Sequence, residues 1–163
     1  MENGITVWYN GKNIEIPLER KNMGNMEIAR ETLEKENCTC VAFNGEKIVK
    51  SFERGVKPLL EMIDEGTDLS GYSAADRVVG RAAAFLYVKL KISEVYSYVL
   101  SRPAIEIFNR YRIPVRYEKL VDVIVNRTNT GLCPMESSVM DTNDPEEAER
   151  KIRKKLSELA SGR

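Results

Sequence analysis

Residues Cys38 to Phe43 are apolar on both sides of a period of two: Cys38, Cys40 and Ala42 on one side, Val41 and Phe43 on the other. A strand of this kind sits inside a sheet that is covered on both faces. Asn44-Gly45 and the run Lys47–Phe52 follow, and Asn-Gly between two such runs is the strongest short hairpin signal. This one region therefore demands a sheet, a partner strand and two covering layers.

The rest of the chain supplies the layers. Ile5–Tyr9 and Asn13–Ile16 alternate around Asn10-Gly11 and predict another hairpin, ahead of a polar linker, Glu19–Asn25. Met26–Glu36 reads as a helix with Ile28, Ala29 and Leu33 on one face. Gly55–Glu65 holds a short helix stopped by Gly66, and Asp68–Tyr72 is a loop. Ser73 with Asp76 three residues on resembles a capping box and predicts a long helix to about Lys89. Ala75, Val78, Val79, Ala82, Ala83, Leu86 and Tyr87 give it a wide apolar face, with Arg77 and Arg81 one turn apart on another. Gly80 lies inside that helix, at a cost of ~1 kcal/mol relative to Ala, which points to close packing on a sheet.

Glu94–Leu100 reads as a strand, and Ser101 and Pro103 open a helix through Tyr111. Pro114 leads a strand, Val115–Tyr117. Leu120–Val125 reads as extended, with a short helix as the alternative. Asp144-Pro145 starts a last helix whose stripe is Ala148, Ile152, Leu156 and Leu159. Strand–helix–strand alternation implies parallel pairing. The fold class expected is a three-layer α/β/α sandwich with a mixed sheet, divided into an N-terminal β-hairpin extension (1–22), a core domain (23–142) and a C-terminal helix (143–163).

Composition removes several chemistries. The chain has no histidine, which excludes His-based triads and His-containing metal sites. Its three cysteines, Cys38, Cys40 and Cys133, do not have zinc-knuckle or iron–sulfur spacing. Lys plus Arg equals Asp plus Glu at 25 each, so no basic surplus points to nucleic acid. An odd thiol count, no apolar leader and no long uncharged apolar run lead to the expectation of a cytoplasmic protein without a membrane segment. Lys151–Lys155 is read as a solvated helix face, because glutamates surround it.

Asn126 to Glu136 carries the chemistry that remains. A polar, glycine-bearing loop runs into Cys133 at a helix N-cap, Pro134 at the first position and Glu136 at the third. A thiol at a helix start tends toward the reactive thiolate, while Glu136 opposes that by like-charge repulsion. Cys133 is either a nucleophile or a small residue suited to a helix start. Asp76 is either an acid/base group or a first-turn carboxylate.

From about Met26 to Met140 the sequence resembles an uncharacterised prokaryotic family, a domain of unknown function classed with the cytidine deaminase-like fold. The likeness rests on Glu53-Arg54-Gly55-Val56-Lys57-Pro58-Leu59, Ala75-Asp76-Arg77-Val78-Val79-Gly80 and Thr130-Gly131-Leu132-Cys133-Pro134-Met135-Glu136. Zinc deaminases start one core helix with His-x-Glu and the next with Pro-Cys-x-x-Cys. Placed on the Ser73 and Ser101 helix starts, those patterns fall on Ala74-Ala75-Asp76 and Arg102-Pro103-Ala104-Ile105-Glu106-Ile107, where every ligand is missing. The resemblance thus implies the scaffold without zinc chemistry and without another cofactor.

Ligands of open α/β sheets bind beyond the carboxyl ends of the parallel strands. Asp76, Arg77, Arg102 and Cys133 are expected to converge on one cleft there, with Lys57 in reach and Asn126, Thr130, Gly131 and Glu136 from the loop and its helix. The function expected is binding of a small polar ligand, nucleotide- or base-like by analogy with the fold. Two alternatives stand beside it: a zinc-independent enzyme using Cys133 as nucleophile and Asp76 as acid/base, and an interaction protein docking through its terminal helix. Homo-oligomerisation is left open.

Overall fold

The computed structural model describes residues 24–162 and, ahead of them, the backbone of two strands, β1 (Gly4–Tyr9) and β2 (Lys12–Pro17). These strands pair antiparallel, from Gly4 opposite Pro17 to Tyr9 opposite Lys12, as the alternation predicts. The Asn10-Gly11 turn and residues 19–23 of the linker lie outside the described residues.

The main sheet is mixed and five-stranded, in the order β4-β3-β5-β6-β7. Helix α1 (Asn25–Lys35) precedes the β3–β4 hairpin (Cys40–Phe43 and Ile48–Ser51). Gly45 takes the positive φ of 98° that its turn requires. Helix α2 (Lys57–Asp64) follows, and Gly66 at φ 72° ends it. Then come β5 (Ser73–Val79), α3 (Arg81–Lys89), β6 (Glu94–Ser101), α4 (Arg102–Arg110) and β7 (Val115–Val121). Strand β3 runs antiparallel to both β4 and β5, whereas β5, β6 and β7 are parallel. The chain closes with α5 (Pro134–Ser138) and α6 (Pro145–Ala160).

The long helix expected from Ser73 to Lys89 is two elements. Ser73–Val79 is the central strand, and the helix begins only at Arg81. The Ser73-x-x-Asp76 pattern is not a cap: Ser73 Oγ instead donates to Glu94 Oε1 at 2.6 Å, across to β6. Alanines in Ala74-Ala75 imitate a helix, but a strand hydrogen-bonded on both sides outweighs their weak local preference. Gly80 is therefore not a mid-helix residue but the N-cap of α3. Strand β7 also differs from the reading: it runs unbroken to Val121, and only Val125 beyond it makes a bridge, to Leu132.

Helices lie on both faces of the sheet. On one, α1 buries Met26, Ile28, Ala29 and Leu33 against Val41, Phe43, Ala75 and Tyr96. On the other, Ala42, Ala74 and Val95 meet residues of α2, α3, α4 and α6. The alternation of Val41 and Phe43 with Ala42 assigns them to the two layers, as period two requires, but Cys38, which precedes the strand, packs with Val41 and Phe43 and not on the side of Ala42 as the alternation suggests. The C-terminal helix belongs to this core: Ala148 and Ile152 are fully buried in it and Leu156 packs against it. Its apolar stripe is spent inside the molecule, apart from Leu159.

Candidate functional site

The carboxyl ends of the parallel strands share one edge of the sheet. Strand β5 gives way there to α3 through Gly80, and β6 gives way to α4 through Ser101, whose Oγ accepts the Ala104 N–H at 3.2 Å. Strand β4 runs in the same direction as β5, since both are antiparallel to β3. Phe52 and the start of α2 therefore reach the same edge. Thr39 ties the corner, donating to Ser51 O at 2.9 Å and to Glu53 O at 2.6 Å, while its own carbonyl accepts the Arg77 N–H. Phe52 is 58% exposed and Val78 46%.

Helix α5 arrives at this edge through Glu136. Its carboxylate is buried, and its oxygens accept the N–H groups of Arg81 at 2.7 Å and Ala82 at 2.9 Å. It thereby caps α3 from a distant part of the chain, in the position where the helix dipole favours an anion. Burial raises the Glu136 pKa, opposed by those two N–H groups and by the Arg81 charge. Arg81 completes the junction. Its buried guanidinium donates to Val139 O at 3.1 Å, Thr142 O at 2.7 Å and Asn143 Oδ1 at 2.9 Å, and meets Glu106 at 3.3 Å. It fastens the segment between α5 and α6 to the core.

Cys133 is the N-cap of α5, as expected, but its side chain caps nothing there. It is partly buried against the helical layer, and among the described residues its thiol has no hydrogen-bond partner. Asp76 faces the same layer: Tyr87 Oη donates to its Oδ2 at 2.7 Å, and the Val78 N–H to its Oδ1 at 3.2 Å. Burial raises the Asp76 pKa to about 6 against the pull of those bonds and of Arg77. No hydrogen bond joins Asp76 to Cys133 among the described residues.

Arg77 leaves the expected grouping. It sits one strand position from Asp76 and so turns to the α1 layer, where it donates to Cys38 O at 3.0 Å and Leu33 O at 2.8 Å. The cleft grouping of Asp76 and Arg77 presumed a helix; on a strand, neighbours point to opposite faces. Arg102 is at the edge but exposed, paired with Asp122 at 2.9 Å. Lys57 is exposed at the start of α2, between Glu53 at 3.3 Å and Glu61 at 3.8 Å. Asn126, Thr130 and Gly131 form a turn bonded to itself: Asn126 Oδ1 accepts the Thr130 N–H at 2.9 Å, and Gly131 O accepts the Asn126 N–H at 2.9 Å.

Of the two helix starts on which the zinc pattern is placed, Ser73 opens β5 and only Ser101 caps a helix. The helix starts flanking this strand are Val56-Lys57-Pro58 and Gly80-Arg81-Ala82-Ala83-Ala84, not Ser73 and Ser101. Neither carries a His or Cys, so the residues there do not fit zinc. Among the described residues, no group of three or more His, Cys, Asp or Glu is placed to hold a metal. Ser138, Lys151, Lys154, Lys155 and Glu158 line a shallow depression. No helix of the described residues is long and apolar enough to cross a membrane.

Three features escaped the sequence reading: Arg81 as an anchor, Glu136 as the cap of α3, and Tyr87 as the partner of Asp76. Val78-Val79-Gly80 was the available signal for the first two, because a β-branched pair before glycine marks a strand giving way to a turn.

These elements define an α/β protein with a five-stranded mixed sheet flanked by helices. The chain belongs to the family described as TM1506, a domain of unknown function (DUF1893), whose model matches residues 28–156. That match extends beyond the expected Met140 limit into α6, in keeping with the burial of Ala148 and Ile152. The chain is similar to the crystal structure of a DUF1893 family protein (TM1506) from Thermotoga maritima, with 29% identity and a TM-score of 0.75 over 84% of this chain and 91% of that one. No curated protein matches.

Proposed function

We propose that the protein binds a small polar ligand, base- or nucleotide-like, at the carboxyl edge of β5 and β6, and that it does so without a resident zinc ion. The observation that carries this reading is that two apolar side chains, Phe52 and Val78, are exposed on segments that end at the edge of the sheet where α2 and α4 begin. A flat heterocycle has an apolar face for such side chains, and the exposed cations at those helix starts, Lys57 and Arg102, favour anionic or carbonyl groups at its rim. The start of α3 is already taken by Glu136. The order helix, hairpin, helix, then strands alternating with helices supports the cytidine deaminase-like reading of the fold. The absence of His and Cys from the starts of α2 and α3 supports a zinc-free site.

Calorimetric titration of chelator-treated protein with nucleobases, nucleosides and nucleoside monophosphates tests the reading. Saturable binding is expected, weakened about tenfold or more in Phe52→Ala, since base–aromatic stacking contributes ~1–3 kcal/mol. Absence of binding by every compound at about 1 mM, a regime of ~4 kcal/mol, overturns it.

A further inference from the structure

Strand β7 pairs with β6 along one side, and among the described residues no strand pairs with the other. Arg116, Tyr117, Glu118 and Lys119 in its middle are all exposed. The Val95 N–H donates to Pro114 O at 3.0 Å. The even-numbered residues of β7 thus turn their backbone groups toward β6, leaving Val115, Tyr117 and Lys119 to direct N–H and C=O outward. An antiparallel partner must meet these odd-numbered residues.

We propose that this edge pairs antiparallel with the same edge of a second copy, about a two-fold axis at Tyr117. In such pairing the residue at the axis faces itself. An axis at Glu118 sets two carboxylates opposite each other, and one at Arg116 sets two guanidinium groups. An axis at Tyr117 sets Arg116 opposite Glu118 twice, joins two phenol rings, and lays the Lys119 stem over Val115. All three registers satisfy the outward backbone groups, so charge selects Tyr117.

The surrounding charges continue the pattern. Glu118 accepts the Tyr96 hydroxyl at 2.6 Å and faces Arg30 at 3.5 Å, and Arg116 faces Glu27 at 3.6 Å. Across the axis these become two rows of alternating sign, Glu27, Arg116, Glu118 and Arg30, each shared between copies. The same charges disfavour unrelated strands at an otherwise open edge.

Sedimentation of the full chain is expected to show a dimer. Arg116→Glu and Glu118→Arg, each placing like charges opposite, should give monomers, while R116E/E118R together should restore the dimer. Tyr117→Pro, which deletes an outward N–H, should give a monomer with an unchanged circular dichroism spectrum. In a Cys133→Ser background, Tyr117→Cys should form an intermolecular disulfide with oxidised glutathione and Lys119→Cys should not, because only the axial pair stands about 5.5 Å apart. The proposal is overturned by a monomeric wild type at about 100 µM, a concentration that populates dimers of micromolar affinity. A dimer indifferent to the single charge reversals, or equal crosslinking at positions 117 and 119, overturns it as well.

Discussion

The carboxylate of Glu136 fills the space that a β-carbon at Gly80 would occupy. Two of the three segments that carry the family resemblance are thereby explained by one contact: Val78-Val79-Gly80 turns the chain from strand to helix, and Cys133-Pro134-Met135-Glu136 delivers the anion that caps it. The glycine is required by space and not by backbone angle, since its φ of −101° suits any residue.

Gly80→Ala should therefore destabilise the protein by about 1–3 kcal/mol through overpacking against a buried carboxylate. In a Glu136→Ala background the same change should cost far less, because the obstructing group is gone. Urea denaturation of the four proteins checks this; a coupling below about 0.5 kcal/mol would mean that the two positions act independently.

Asp76 gives the fold a pH dependence. Its carboxyl pKa rises from 3.8 to about 6 in the folded state, so the folded protein holds the proton more tightly than the unfolded chain. The resulting stabilisation is full below about pH 4 and is lost as pH rises through about 6. Asp76→Asn, which cannot ionise, should gain stability relative to the wild type across that window. Parallel denaturation midpoints at pH 4, 5, 6 and 7 would contradict the assignment.

Arg81 is expected to be costly to remove, because its charge is buried and hydrogen-bonded. Arg81→Met leaves Val139 O and Thr142 O without their donor, a loss on the order of 3 kcal/mol. Hydrogen exchange should quicken first at residues 139–144, which the guanidinium ties down. Unchanged exchange there would assign the anchoring to packing alone.

The thiols should separate by burial. Cys38 and Cys40 are buried, and desolvation raises both thiol pKa values. Cys133 is only partly buried. Iodoacetamide followed by mass spectrometry should therefore label Cys133 first, with the other two labelled only on unfolding. Native labelling of Cys40 ahead of Cys133 would contradict the packing of β3.

The hairpins, α1, α2, β6, α4 and α6 were legible in the sequence because each carries its own signal: Asn-Gly turns, a stop at Gly66, and caps at Ser101 and Asp144. Strand β5 was not. Its alanines favour a helix locally, and Ser73-x-x-Asp76 imitates a cap, whereas its true determinants are β3 and β6 on either side. That one error displaced Arg77 into the wrong layer and Gly80 into a helix interior. The Glu136–Arg81 contact spans 55 positions, and no local pattern reports such a pairing.

The most direct test of the ligand-binding edge is an amide chemical-shift titration of the isotope-labelled full chain with a nucleoside monophosphate in the presence of chelator. The largest shifts are expected at Phe52, Val78 and Arg102, around the starts of α2 and α4, with the chelator making no difference. Shifts confined to the lysine-lined depression at Lys151, Lys154 and Lys155, or none at all up to about 10 mM, where even affinities near −3 kcal/mol register, would contradict it.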